Sequence, residues 1–360
     1  MQSTGAGKSR RAHISGLLAA ILLLSVLLSA CGNSDDNQQQ ASASSSSDGD
    51  VTLVIGAYSV AKDAVGEILP KFQTYWKEKT GQNVNFQESY EASGTQARAI
   101  AGGFEADVAI LSLEGDIDKL VKAGLVKDSW QDEPYHGMIT RSVVVLGTRK
   151  GNPLGIHSFQ DLTRPGVKVL YPNPKTSGGA QWDINAIYGA GLKQSERTEG
   201  KKDPAAAKAF LAAVHQNIES LDKSGRASMA AFEYGVGDVI VTYENELLAR
   251  MAKGAQYDLV IPDDTIQIEN PAAVVDSYVD KHGTRKVAEA FLDYLYTPEA
   301  QEIFAKHGFR PVDENVFKTH AAEYPIPSGL FDINYLGGWD EVRSTLYSKR
   351  GIWYQVLAGI

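Results

Sequence analysis

The chain has 360 residues, of which 43% are hydrophobic. That is the composition of a soluble globular protein, and a length that fits about two ordinary domains. The 44 acidic side chains outnumber the 35 basic ones, leaving a formal charge of −9. This argues against a nucleic-acid binder, which needs a basic face. A single cysteine excludes any disulfide within the chain, so packing alone must stabilise it.

Lys8, Arg10 and Arg11 precede an apolar run from Ile14 to Leu28, and Leu28-Ser29-Ala30-Cys31 follows. A basic start, an apolar stretch and small residues before a cleavage point are the parts of an export signal. The tetrapeptide resembles a bacterial lipobox. The resemblance implies that residues 1–30 are a lipoprotein signal peptide and that Cys31 becomes the lipidated N-terminus of an exported protein. The alternative is an ordinary membrane anchor, for which the run is short against the ~20 residues a spanning helix needs. No later segment is apolar for long enough to span a bilayer. Loss of residues 1–30 removes three basic charges and takes the chain to about −12. Residues 31–50 are rich in Ser, Gln, Asn and Asp, with no aromatic or branched apolar residue, and read as a flexible tether.

Beyond the tether, strand-like and helix-like segments alternate. Val51–Ile55 is a continuous apolar β-rich run, as expected of a strand buried on both faces. Residues 62–80 place Val65, Ile68, Leu69, Phe72 and Trp76 at helical spacing, and Gly81 ends the helix. Val84 and Phe86 alternate as a second strand, a helix opens near Ser93-Gly94, Val108–Leu111 is a third strand, and residues 116–123 form a short helix. This order predicts an α/β sheet with parallel neighbours. Residues 141–148 form a further buried strand, after which the pattern restarts. Strands are expected at 167–170, 218–221, 239–243, 259–261 and 272–275. Helices are expected at 178–189, from the Asp203-Pro204 cap to about Asn217, and after the Thr297-Pro298 cap. The expected organisation is two lobes joined by strand-like crossings, with a ligand cleft between them.

Four strand ends carry small residues with free amides. The most informative reads Pro172-Asn-Pro-Lys-Thr-Ser177-Gly178-Gly179-Ala-Gln-Trp182. Ser177 falls at a helix N-cap, and Gly178 and Gly179 leave first-turn amides open to a ligand. Helix N-termini present unpaired N–H groups and partial positive charge, which suit anions. The others are Glu91-Ala92-Ser93-Gly94, Lys223-Ser224-Gly225-Arg226, and Ala57-Tyr58-Ser59 after the first strand. In open α/β sheets, ligands bind at the carboxyl ends of strands.

The segment Tyr171–Trp182 resembles the Pro-Asn-Pro-Lys-Ser-Ser-Gly-Gly-Ala-Arg-Trp signature of the sulfate- and thiosulfate-binding proteins of ABC importers. The likeness continues in Arg149-Lys-Gly-Asn-Pro153, Leu221-Asp222, Gly237–Glu246, Tyr294–Glu302 and Gly337-Gly-Trp339. It spans roughly residues 51–340. It implies a two-lobed, class II periplasmic-binding-protein fold with a hinge between two mixed-sheet α/β domains. Residues 51–142 plus 266–360 are the expected first lobe and 143–265 the second. The ligand set it implies is the Ser177 hydroxyl, the Gly178 and Gly179 amides, Ser93, the backbone of Ser59 and Gly225, and Tyr243. The family has an indole where this chain has Tyr243, and commonly Gly-Gly-Ser where this chain has Glu91-Ala92-Ser93. Residues 232–235 run one residue shorter than in the family.

The expected function is therefore capture of sulfate or thiosulfate, without enzymatic turnover, cofactor or metal. The expected partners are ABC permease subunits and, through lipid on Cys31, a membrane. A monomer is expected. A site made only of donors favours a fully deprotonated oxyanion over phosphate, whose proton needs an acceptor. Alternatives are another oxyanion, such as molybdate or phosphate, and an exported hydrolase of sulfate or phosphate esters. The hydrolase lacks a metal cluster or activated nucleophile in the sequence. The histidines at 136, 157, 215, 282 and 307, five of the chain's seven, are scattered. Glu244 and Glu246 read as acids at a helix N-terminus rather than a catalytic pair. Tyr58, Tyr90 and Tyr243 read as core or cleft wall rather than ferric-ion ligands. Lys175 is expected to face solvent.

Overall fold

The computed structural model describes residues 49–360. Cys31, the expected signal peptide and most of the expected tether lie outside the described residues. In chain order the first half contains β1 (Val51–Tyr58), α1 (Lys62–Thr80), β2 (Val84–Glu91), α2 (Ser93–Ala101), β3 (Val108–Ile110), α3 (Glu114–Lys122) and β4 (Met138–Arg149). Next come β5 (Val169–Leu170), α4 (Gly178–Glu199), α5 (Pro204–His215), β6 (Ile218–Ser220), α6 (Gly225–Glu233), β7 (Val239–Tyr243), α7 (Glu244–Met251) and β8 (Tyr257–Val260). The chain closes with β9 (Gln267–Val274), α8 (Asp276–His282), α9 (Arg285–Leu295), α10 (Pro298–Lys306), β10 (Arg310–Pro311), α11 (Glu314–Thr319), α12 (Gly338–Thr345) and α13 (Ile352–Ala358).

Local sequence explains the elements that hold the site. Val65, Ile68, Leu69, Phe72 and Trp76 of α1 are all buried, and Gly81 closes it in the left-handed conformation with its N–H on the Lys77 carbonyl. Asp203 accepts from the amides of Ala205 and Ala206 to start α5, with Pro204 at its first position. Ser177 and Ser224 cap α4 and α6 by accepting from the amides of Ala180 and Ala227.

The strands run in the order β2-β1-β3-β9-β4-β7-β5-β6, with β8 and β10 also paired to β4. β1 is parallel to β2 and β3, and β5 is parallel to β6 and β7. The centre is antiparallel. β9 pairs β3 on one side and β4 on the other. β4 serves both halves: Met138–Val143 pairs β9, while Val144–Arg149 pairs β7 and β8. Beside that changeover, the Thr265 hydroxyl donates to the Val144 carbonyl at 2.6 Å and the Val144 amide donates to Ile266.

The C-terminal segment returns to the second half. Phe331 fills the space beside Gly189 in α4, Tyr347 donates to the Gln181 carbonyl, and Trp353 stacks edge-on against Tyr171 and His215. Lys208 of α5 reaches Gln355 at 2.6 Å. The expected assignment of all of 266–360 to the first lobe does not describe these contacts. Three further helices (α11, α12 and α13) also follow α10, which the sequence pattern shows as the last clear one.

Candidate anion-binding site

Four helix starts converge on one enclosed cavity between the halves of the sheet. The turn after β1 contributes Tyr58 and Ser59, α2 contributes Ser93, α4 contributes Ser177 and Gly179, and α6 contributes Ser224 and Gly225. Tyr243 and Glu246, at the start of α7, complete the wall with Asp183, one helical turn beyond Gly179. The room open to a water's centre is about 20 Å³. One water needs roughly 10–15 Å³ by that measure, so the space suits a compact polyatomic ion rather than an extended solute.

The polar inventory is dominated by unsatisfied groups. The hydroxyls of Tyr58, Ser112 and Tyr243 and one oxygen of Asp183 are buried with no hydrogen-bond partner. Such groups each cost about 1–3 kcal/mol unless something meets them. Burial pushes the phenols of Tyr58 and Tyr243 well above their ordinary range, so both remain neutral donors. At the start of α4, the amides of Gly178 and Gly179 fall at the first two helical positions, which have no intrahelical acceptor. The Ser177 oxygen accepts from Ala180 at 3.3 Å, which leaves its hydrogen to donate.

Ser93 is placed on the wall, but its hydroxyl is spoken for. It donates to Asp116 at 2.6 Å and accepts from the Ser112 amide at 2.9 Å. Only its amide, at the first position of α2, remains for a ligand. Gly178 is not on the wall. The face where its Cβ would stand is filled by Ser112 and Leu113, so glycine there permits α4 to approach the β3–α3 loop closely. Ser59, Gly179, Gly225 and Tyr243 all line the cavity.

Glu244 and Glu246 each have a basic partner, although the Oε1 of Glu246 lines the cavity buried and without a hydrogen bond. Glu244 is buried against Arg310, at 2.7 and 2.9 Å. Glu246 pairs with Arg250 and stands 3.7 Å from Arg226. Lys175 lies outside, its ammonium 5.2 Å from the centre of the Tyr354 ring. Tyr90 donates to Glu88 and does not reach the cavity. Among the described residues no group of three or more His, Cys, Asp or Glu is arranged to hold a metal.

Contacts across the cavity hold the halves together. Trp182 of α4 donates to the Ser112 carbonyl at 2.7 Å, and Arg98 of α2 donates to the Lys175 carbonyl. Arg226 of α6 donates to the Ser59 carbonyl, and Lys253 meets Asp63 of α1 at 2.9 Å. Sequence reasoning missed Ser112 and Asp183. Ser112 lies in an irregular loop with no motif to mark it. Asp183 carried a usable signal: it is four residues beyond Gly179, on the same helical face.

The family model for bacterial extracellular solute-binding proteins matches residues 53–310. The chain is 44% identical over 316 residues to the sulfate-binding protein of Synechococcus elongatus, spanning 86% of this chain and 88% of that one. It is 37% identical over 238 residues to the thiosulfate-binding protein of Pseudomonas aeruginosa, spanning 65% of this chain and 70% of that one. The solved sulfate-binding protein SubI of Mycobacterium tuberculosis superposes with a TM-score of 0.76 at 35% identity, over 83% of this chain and all of that one. The fold is the two-lobed α/β fold of class II periplasmic binding proteins, and its role is binding rather than turnover. With a family model matching residues 53–310 and most of its length aligned to these relatives, the chain belongs to the bacterial extracellular solute-binding protein family.

Proposed function

We propose that the protein captures sulfate, or thiosulfate, between its lobes and delivers it to an ABC permease. One observation carries this reading: helix starts from both halves of the sheet enclose a small buried cavity whose walls hold unsatisfied hydroxyls and no basic side chain. Hydrogen bonds to an ionised partner contribute about 1.5–3 kcal/mol each, so six or so offset the dehydration of a dianion. The ligand set is the Ser177 hydroxyl, the amides of Gly179, Ser93, Ser59 and Gly225, and the Tyr243 hydroxyl.

The lobes are 51–142 with 266–330, and 143–265 with 331–360. The change of partners along β4 at Val143–Val144 supports the first boundary, and the packing of Phe331 and Trp353 supports the last. The anion bridges the two and favours the closed form that the permease reads. Lipid on Cys31 anchors the protein, which works as a monomer. Mass spectrometry of the membrane-extracted chain tests the anchor: a diacylglyceryl adduct on Cys31 is expected, and an unmodified residue 31 removes it.

Titration calorimetry of residues 31–360 with sulfate, thiosulfate, phosphate and molybdate tests the ligand. Sulfate or thiosulfate is expected to bind most tightly. Tighter binding of phosphate or molybdate would reassign the ligand among oxyanions.

A further inference from the structure

A cavity built for an anion has no evident use for a carboxyl group, yet Asp183 lines it. The residue is 1% exposed. Its Oδ1 is buried without a hydrogen-bond partner. It sits on the face of α4 that also presents Gly179, whose amide opens onto the same space.

The groups around Asp183 are tyrosines. Tyr171 follows β5, Tyr243 ends β7, and Tyr347 follows α12. Tyr171 is itself bonded to His215 at 2.8 Å, and burial holds that imidazole below its ordinary value. Tyr58 from β1 and Glu246 from α7 also line the cavity; Glu246 pairs with Arg250 through one oxygen, while its Oε1 is buried without a hydrogen-bond partner. On α3, Asp116 is bound to Ser93 and Lys119. No Lys or Arg is paired with Asp183 among the described residues, and burial pushes its carboxyl well above the usual range. A dianion arriving in the cavity raises it further, because two like charges in a dry space repel. The protonated carboxyl has an O–H to give, and an oxyanion accepts it.

We propose that Asp183 is a specificity-determining residue of this site, a neutral carboxylic acid that donates a hydrogen bond to the bound oxyanion. The proposal rests on the sulfate reading given above. It makes capture proton-linked. Because the bound anion favours the protonated carboxyl, affinity is full below the pH at which Asp183 titrates in the free protein. Above that pH it falls by about tenfold per pH unit.

The test is infrared difference spectroscopy of the 31–360 protein, with calorimetry on the same samples, using sulfate as the probe. The wild type is expected to show a protonated-carboxyl C=O band that Asp183→Asn lacks, and sulfate is expected to shift that band. Asp183→Ala is expected to weaken sulfate by about tenfold, and Asp183→Asn, which keeps a donor, to recover part of that loss. The alkaline fall in affinity is expected in the wild type and absent in Asp183→Asn. Sulfate binding with no such band in the complex, or with a band that sulfate leaves unmoved, would overturn the role of Asp183 alone. No heat with sulfate at any pH would overturn the sulfate reading and this proposal with it.

Discussion

Ser177 is the residue on which capture most directly turns. Its oxygen caps α4 while its hydrogen is free, so removing the hydroxyl takes away a donor to a charge and also a helix cap. Ser177→Ala is expected to weaken sulfate by about 1–3 kcal/mol, or roughly five- to 150-fold, measured by calorimetry. Unchanged affinity would remove Ser177 from the ligand set. The motif around Ser177 was legible because strand, cap and glycines are contiguous in sequence. Ser112 was not legible, because burial without a partner is a property of the folded neighbourhood; Asp183 was legible only in its spacing from Gly179, which puts both on one helical face. Ser93 shows the same limit. Its position was readable, but the commitment of its hydroxyl to Asp116 depends on a residue 23 positions away.

Among the elements, α4 bears the tightest constraints. Gly189 faces the ring of Phe331, and a Cβ there would overlap it. Gly189→Ala is expected to destabilise the protein by about 1–3 kcal/mol through overpacking, despite the better helix propensity of alanine. For a chain of this size that corresponds to a fall in Tm of a few degrees, and the cavity residues are untouched. A Tm at or above the parent's would show that Phe331 yields freely. Strands with continuous apolar runs, such as β1 and β7, were readable from sequence. The first part of β9 was not, because Asn270-Pro271 interrupts its pattern. Pro271 is tolerated where the register against β4 shifts between Met138 and Thr140. Helices α8 and α9 sit within residues 276–295, where no motif drew attention, and α12 and α13 owe their burial to distant partners on α4 and α5.

For the molecule as a whole, the dependence of stability on pH follows from which groups shift and in which direction. Hydrogen bonds donated to Glu105 and then Asp107 raise His282, and those donated to Glu302 and Glu323 raise His320. That stability is fully present below the ordinary histidine value and is lost as pH rises through the folded one. Burial raises Asp183 and Glu269, which act in the same sense. Glu67 runs the other way, lowered by its bonds to Lys306 and His307. Asp276 is also lowered, because bonds from Lys127 and Arg285 outweigh its burial. Their contribution is present above the ordinary carboxylate range and lost as pH falls through the folded values. Without anion, Tm is therefore expected to peak between about pH 4.5 and 6.5, and His282→Gln to flatten part of the alkaline fall. A calorimetric maximum at pH 8 or above would contradict this balance.

The indole of Trp182 ties α4 to the opposite side of the crevice through a buried carbonyl. Any parting of the lobes there strips that bond and brings solvent to the ring. The chain thus carries its own optical gauge: tryptophan emission moves to the red when the crevice gapes and back to the blue when it is filled, with no dye attached.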